Sequence, residues 1–122
     1  MTINEFLEYI DDFNGRQYDR YYTDDVVVQL PSVQLRGRQN VKDFYIRMGE
    51  FIHETVRVRK VLIEGDAIIA NLWSDFYCVQ DTSDYLERTL AKGDLVREEL
   101  LVLYTLEGTK FSQIRAARLR AP

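Results

Sequence analysis

In the second half of the chain, apolar and polar residues alternate in runs of strand length: Thr55–Glu64, Ala67–Val79, Glu98–Leu106 and Lys110–Leu119. Each run is rich in β-branched and aromatic residues and has a period of two, which predicts four strands. Gly65-Asp66 and Gly108-Thr109 separate two of the pairs and read as tight turns. The first half changes period. Ile3, Phe6, Leu7 and Ile10 form a helical stripe behind Thr2 and Glu5, which stand at capping-box spacing, and Asn14-Gly15 ends it. Arg16–Tyr22 predicts a second, short helix. Val26–Val28 is too β-branched for a helix and predicts a first strand, closed by Leu30-Pro31. Beyond Gly37, the spacing of Val41, Phe44, Tyr45, Met48 and Ile52 predicts a helix over Gln39–Ile52. The polar stretch Asp81–Asp94 reads as a loop or a short helix around Tyr85–Leu90, and its length and polarity make it a natural lid. Helices first and a long-stranded meander last define an α+β chain, with helices laid on one face of a curved sheet and a pocket between the layers.

Alternation also sorts side chains between the faces of that sheet. Along Ala67–Val79 the more apolar face carries Ile68, Ala70, Leu72, Ser74, Phe76 and Cys78, and is expected to cover the helices. On the following strand Glu98, Leu100, Val102, Tyr104 and Leu106 share a face. The opposite face is not fully polar: Trp73, Tyr77, Leu101 and Leu103 would all meet water. A patch of that kind predicts a homodimer formed through the outer face of the sheet.

Composition narrows the function more than the fold. The 122 residues suit one domain spanning 1–122, and the apolar share of 46% is that of an ordinary globular protein. A net charge of −4 argues against a nucleic-acid partner. No apolar run reaches the length of a membrane span and no basic-then-apolar leader opens the chain, so a cytoplasmic location without membrane contact is expected. Cys78 is the only cysteine, set mid-strand as a small buried residue. His53 is the only histidine, and no His/Cys/Asp/Glu cluster has ligand spacing, so neither a metal nor another cofactor is expected.

At this point the order of elements resembles the SnoaL-like (polyketide-cyclase-like) proteins of the nuclear-transport-factor-two-like superfamily. The likeness lies in the first helix ending in Phe13-Asn14-Gly15, the segment Tyr22–Pro31, and Gly37 before the helix that starts near Val41. The strand pair Val61–Ala70 and the closing Lys110–Arg115 carry it as well. The resemblance implies a cone-shaped α+β barrel, its N-terminal helices packed on a strongly curved, mainly antiparallel sheet around an apolar cavity. It also implies a range of chemistries, from cyclases, isomerases and dehydratases to epoxide hydrolases and non-catalytic binding proteins, because one fold hosts many activities.

The residues test these chemistries one by one. A steroid-isomerase-type site needs an aspartate base before Pro31 and a tyrosine in an oxyanion hole. Tyr9 falls where the tyrosine would lie, but the base position holds Leu30, which takes no proton. An epoxide-hydrolase-type site would place its middle-strand pair on Leu72 and Ser74 and its last acid near Ala116, three residues unsuited to that reaction. His53 reads as a helix C-terminal residue near the cavity mouth. What remains for acid–base work is Glu98, with Tyr104 and Tyr9 to steady an enolate, and Asp75. Glu98 is either an inward acid, paired with Arg118 if both are inside, or a solvated residue at a strand start. Asp75 is either an inward acid or an outward carboxylate bound to Arg57, Arg59 or Arg97, and the apolar pattern favours outward. Tyr22, Tyr45, Ser74, Phe76 and Arg118 are the expected ligand-binding residues. The expectation is therefore a protein that holds a small apolar molecule. It acts as a cofactor-free cyclase, isomerase or dehydratase, or else as a non-catalytic binding or dimerisation module.

Overall fold

A computed structural model of the chain describes residues 1–85 and 88–120. Helix α1 (Ile3–Asp11) begins at Thr2 with both halves of the capping box formed. The Thr2 hydroxyl accepts from the Glu5 amide and the Glu5 carboxylate accepts from the Thr2 amide, each at 3.1 Å. Such a cap contributes about 1 kcal/mol to a helix too short to persist alone. Phe6, Tyr9 and Ile10 are buried, whereas Ile3 and Leu7 of the predicted stripe stay exposed, so α1 meets the sheet along a narrower line than its apolar pattern suggests.

A 3-10 turn (Phe13–Gly15) and helix α2 (Tyr18–Tyr21) follow, then β1 (Tyr22–Gln29), β2 (Gln34–Arg36) and α3 (Arg38–Gly49). The strands β3 (Ile52–Glu64), β4 (Ala67–Cys78), β5 (Thr82–Tyr85), β6 (Arg88–Leu90), β7 (Leu95–Glu107) and β8 (Lys110–Arg120) complete the chain. Six of them form one sheet in the order β2-β1-β8-β7-β4-β3; β5 and β6 form a separate hairpin. All pairings are antiparallel except β1 with β8, which run parallel. The sheet is curved and open, with edges at β2 and β3, so the cone-shaped α+β fold is present without full closure of a barrel.

Several boundaries differ from the sequence expectation, each for a local reason. The first strand starts four residues before Val26, because Tyr22 pairs with Phe111 on β8. The third helix stops at Gly49 and β3 begins at Ile52, so His53 and Glu54 are strand residues rather than helix-end residues. The stretch expected as a loop or helix carries the β5–β6 hairpin, within which residues 86–87 lie outside the described part. Gly65 and Gly108 turn the two long hairpins with φ of 58° and 66°, a left-handed backbone that glycine adopts without a Cβ penalty.

The core fills the concave side. Phe6 and Phe111 are fully buried, and their rings meet Tyr104 at 5.2 and 5.0 Å between centroids. Tyr9 packs edge-on against Phe111 and Tyr21, at 4.8 and 4.9 Å. Ile68, Ala70, Leu72 and Ser74 of β4 point into this layer and Phe76 and Cys78 into a second apolar cluster, all on the buried face that their alternation predicts.

The candidate site

Two adjoining cavities open between the helices and the concave face. The inner one has about 60 Å3 of free volume and is lined by Tyr9, Tyr22, Tyr45, Glu54, Ser74 and Tyr104, with aliphatic residues of β1, β4, β7 and β8. The outer one, about 150 Å3, is lined by Phe13, Asn14, Arg16, Tyr18, Tyr45, Met48, Ile52 and His53. Phe13 and Tyr45 border both and form the partition, their rings edge-to-face at 5.8 Å.

Glu54 is the acid of the inner cavity. Alternation along β3 turns Ile52, Glu54, Val56 and Val58 inward and Arg57 and Arg59 outward. The Glu54 side chain is only 6% exposed. Burial pushes its carboxyl up to about 7, aided by the nearby Glu98 charge and opposed by Arg16 and the Ser74 hydroxyl. That value suits proton transfer near neutral pH, because base and conjugate acid are then both populated.

The phenols around it stay protonated. Burial raises Tyr9, Tyr22, Tyr45 and Tyr104, most clearly Tyr22 and Tyr104. Tyr9 and Tyr22 share a hydrogen bond of 2.6 Å between their hydroxyls. Whichever oxygen accepts still carries its own hydrogen, so the pair keeps one donor for another acceptor.

Arg16 sits at the outer face of the partition, 4% exposed. Its guanidinium carbon lies 3.9 Å from the ring centroids of both Phe13 and Tyr45, and 5.2 Å from that of Tyr18. A desolvated cation over aromatic faces gains roughly 2 kcal/mol, which offsets part of the cost of burying it. Nη1 donates to the Phe13 carbonyl at 2.8 Å. The turn that carries Phe13 and Arg16 is tied to the sheet by Asn14, whose side-chain amide donates to the Glu54 carbonyl at 2.7 Å. One hydrogen bond thus fixes the cation and the partition against the strand that bears the acid.

The residues expected from sequence divide between the two sides of the sheet. Tyr9, Tyr22, Tyr45, Ser74 and Tyr104 line the inner cavity. Glu98 is buried beside Ser74 on the neighbouring strand and bound to Arg118 at 3.2 Å, so its carboxylate is already engaged. Phe76 is buried in a second apolar cluster with Ile52, Cys78, Leu90 and Val96, separate from the one that holds Tyr9, Tyr22 and Tyr104. Asp75 faces the outer side, where Arg97 binds it at 2.7 and 3.1 Å and Arg57 at 3.0 Å. The Arg97 hydrogen bonds hold its carboxyl below the usual range against a small desolvation effect. Of the two readings of Asp75, the outward one describes its position.

Glu54, Arg16 and Phe13 were absent from the sequence expectation. The signal for Glu54 was available: continuing the alternation of Val56 and Val58 back by one step places it on the inward face. Arg16 lies in a turn, where no periodicity reports burial. Leu30, Leu72, Ser74 and Ala116, the positions where steroid-isomerase and epoxide-hydrolase chemistry would sit, all line the inner cavity. The carboxylates of those schemes are replaced there, and the acid enters from β3 instead.

Solved structures share the fold over nearly the whole chain. A SnoaL-like polyketide cyclase from Agrobacterium tumefaciens superposes with a TM-score of 0.71 at 18% identity, covering 97% of this chain and 91% of that one. An LEH-like epoxide hydrolase from M. tuberculosis superposes at 0.73 with 12% identity, covering 95% and 80%. A ketosteroid-isomerase-like fold from Catenulispora acidiphila, solved with trimethylamine, superposes at 0.73 with 10% identity, covering 96% and 86%. Identities this low establish the fold alone. Residues 3–114 match the SnoaL-like domain, and the chain belongs to that family. No curated protein matches it in sequence.

Proposed function

We propose that the protein is a cofactor-free acid–base enzyme in which Glu54 moves a proton on a small apolar carbonyl compound held in the cone. The single observation that carries this reading is a buried carboxyl, poised near neutrality, at the wall of a cavity otherwise lined by apolar residues and neutral hydroxyls. In the ionised form Glu54 takes a proton from the carbon next to the carbonyl. The enolate oxygen that develops accepts the hydrogen left over from the Tyr9–Tyr22 pair, in a site dry enough to make that bond strong. Glu54 then returns the proton to a different atom, which isomerises the substrate, or the enolate carbon attacks a second carbonyl and closes a ring. Delivery to a leaving hydroxyl gives dehydration. Membership of the SnoaL-like family supports a reaction of this class.

Volume supports a small substrate. Cavities that enclose drug-sized ligands measure about 300–1,000 Å3. The two chambers fall short of that even when joined, which favours one ring over a polycycle. The test is a titration of the Glu54 carboxyl by infrared difference spectroscopy, wild type minus Glu54→Gln. A midpoint near 7 supports the acid–base reading. A midpoint in the ordinary carboxylate range removes it and leaves a binding module.

The outer face supports a second part of the proposal, a homodimer. Ile69, Tyr77, Leu101 and Leu103 are exposed there beside a groove that includes Arg115, Ala116 and Ala117. The Asp75–Arg97–Arg57 cluster sits on the same face and supplies a charged rim. Sedimentation at micromolar concentration is expected to give twice the chain mass, and Leu101→Lys to give the monomer. A parent chain that sediments as a monomer overturns this part.

A further inference from the structure

Arg16 is a buried cation whose hydrogen bonding is incomplete. Nη1 is occupied by the Phe13 carbonyl, while Nε is buried and, among the described residues, has no hydrogen-bond partner. The guanidinium makes no ion pair among those residues either. An arginine kept only for packing over Phe13 and Tyr45 would be expected to satisfy that donor, because a buried unsatisfied N–H is costly. The edge formed by Nε and Nη2 is the one left for a planar, two-oxygen acceptor, which is the shape of a carboxylate.

The chamber that Arg16 lines has a matching size. Phe13, Tyr45, Met48 and Ile52 give it apolar wall for a ring beside the polar groups of Asn14, Arg16, Tyr18 and His53, and its volume of about 150 Å3 is that of cavities known to take a benzene ring. The approach is suited to an anion despite the chain's net negative charge. Arg16, Asp19, Arg20 and Lys42 line the vestibule outside it. Asp19 shares Arg38 with Asp24, at 3.2 and 2.6 Å, and Arg20 is held by Glu8 at 3.1 Å. Arg16 and Lys42 are the cations that remain to draw a ligand inward.

We propose that Arg16 anchors the carboxylate of a small aromatic acid, with the ring seated between Phe13, Tyr45, Met48 and Ile52. The assignment deepens the acid–base reading by naming its substrate class, and it rests on that reading for its catalytic meaning. The carboxylate stays in the outer chamber, and the reacting carbon passes the Phe13–Tyr45 partition toward Glu54. Such a substrate carries its carbonyl beyond the ring and its acid group on the near side.

Calorimetric titration with benzoate and with benzamide, its neutral counterpart of nearly the same shape, tests the subsite without any turnover. Wild type is expected to prefer benzoate by about tenfold or more, the scale of one charge-assisted paired contact. Arg16→Met, which keeps a long apolar chain between the rings, is expected to bind the two equally while retaining the wild-type circular dichroism spectrum. Equal binding of benzoate and benzamide by wild type overturns the proposal, and that comparison needs no variant to fold. Undiminished benzoate preference in a folded Arg16→Met also overturns it. The two readings fail separately: loss of benzoate selectivity with Glu54 titrating near 7 removes the anion subsite alone. Benzoate selectivity with an ordinary Glu54 leaves the subsite and removes the acid–base role.

Discussion

Glu54→Gln is expected to be more stable than the parent protein above pH 7 and inactive. In the unfolded chain this carboxyl ionises at its ordinary value of 4.5, whereas in the folded protein burial holds the proton on until about pH 7. Between those values the folded state binds more protons than the unfolded state, so stability falls as pH rises through the window. The full penalty, about 3 kcal/mol, is present above pH 7 and absent below 4.5. Glutamine has nearly the same shape and never ionises, so it removes the penalty. At pH 8 the variant should melt roughly 10 °C above the parent, and the two should converge near pH 4.5. Deuterium uptake at the methyl group of acetophenone, an aryl ketone of one-ring size, gives the activity half of the comparison. Parent catalysis should rise as pH passes 7 and fall by about 10²–10⁴ in the variant, the contribution of a positioned general base. A variant less stable at every pH would mean that Glu54 is held as a structural anion by Arg16, and the acid–base reading would fall with it.

The burial of Glu54 also runs against the patterns that make a fold legible in its sequence. Local patterns announce what is locally determined. The period of two along β4 and β7 placed Ser74, Glu98 and Tyr104 on the concave face and Asp75 on the other, because a sheet with one buried face leaves no freedom of register. The capping box at Thr2 and the Gly65 and Gly108 turns were legible for the same reason. Glu54 violates the pattern it belongs to: a carboxylate at an apolar position looks like the end of a strand, and the helical spacing before it runs on to Ile52. Gly49 ends that helix three residues earlier than the Met48–Ile52 spacing implies. The β1–β8 parallel pairing depends on contacts distant in sequence, which no window of residues reports, and β2 is a strand of only three residues. Arg16 is the extreme case. Its burial depends on three aromatic rings brought together by a turn and two helices, and on Asn14 reaching across to β3.

The Glu98–Arg118 pair marks the limit of reading a carboxylate's role from its face. Glu98 is inward and its side chain is 6% exposed, yet Arg118 reaches it at 3.2 Å from the neighbouring strand. The consequence is measurable through a two-residue cycle. Arg118→Met strands a charged carboxylate in the core and should cost roughly 2 kcal/mol, toward the low end for a broken buried pair because Arg118 keeps 36% of its own side chain in solvent. Glu98→Gln alone leaves a partly exposed arginine that water can satisfy, so it should cost less than Arg118→Met. The double variant should recover most of the loss, since removing both charges leaves no buried ion without a partner. Urea denaturation of the four proteins reads the coupling directly. Additive losses would mean that Glu98 is compensated from elsewhere or solvated. Strong coupling, with deuterium exchange into acetophenone retained in the double variant, would make this pair structural. It would also leave Glu54 as the acid of the cavity.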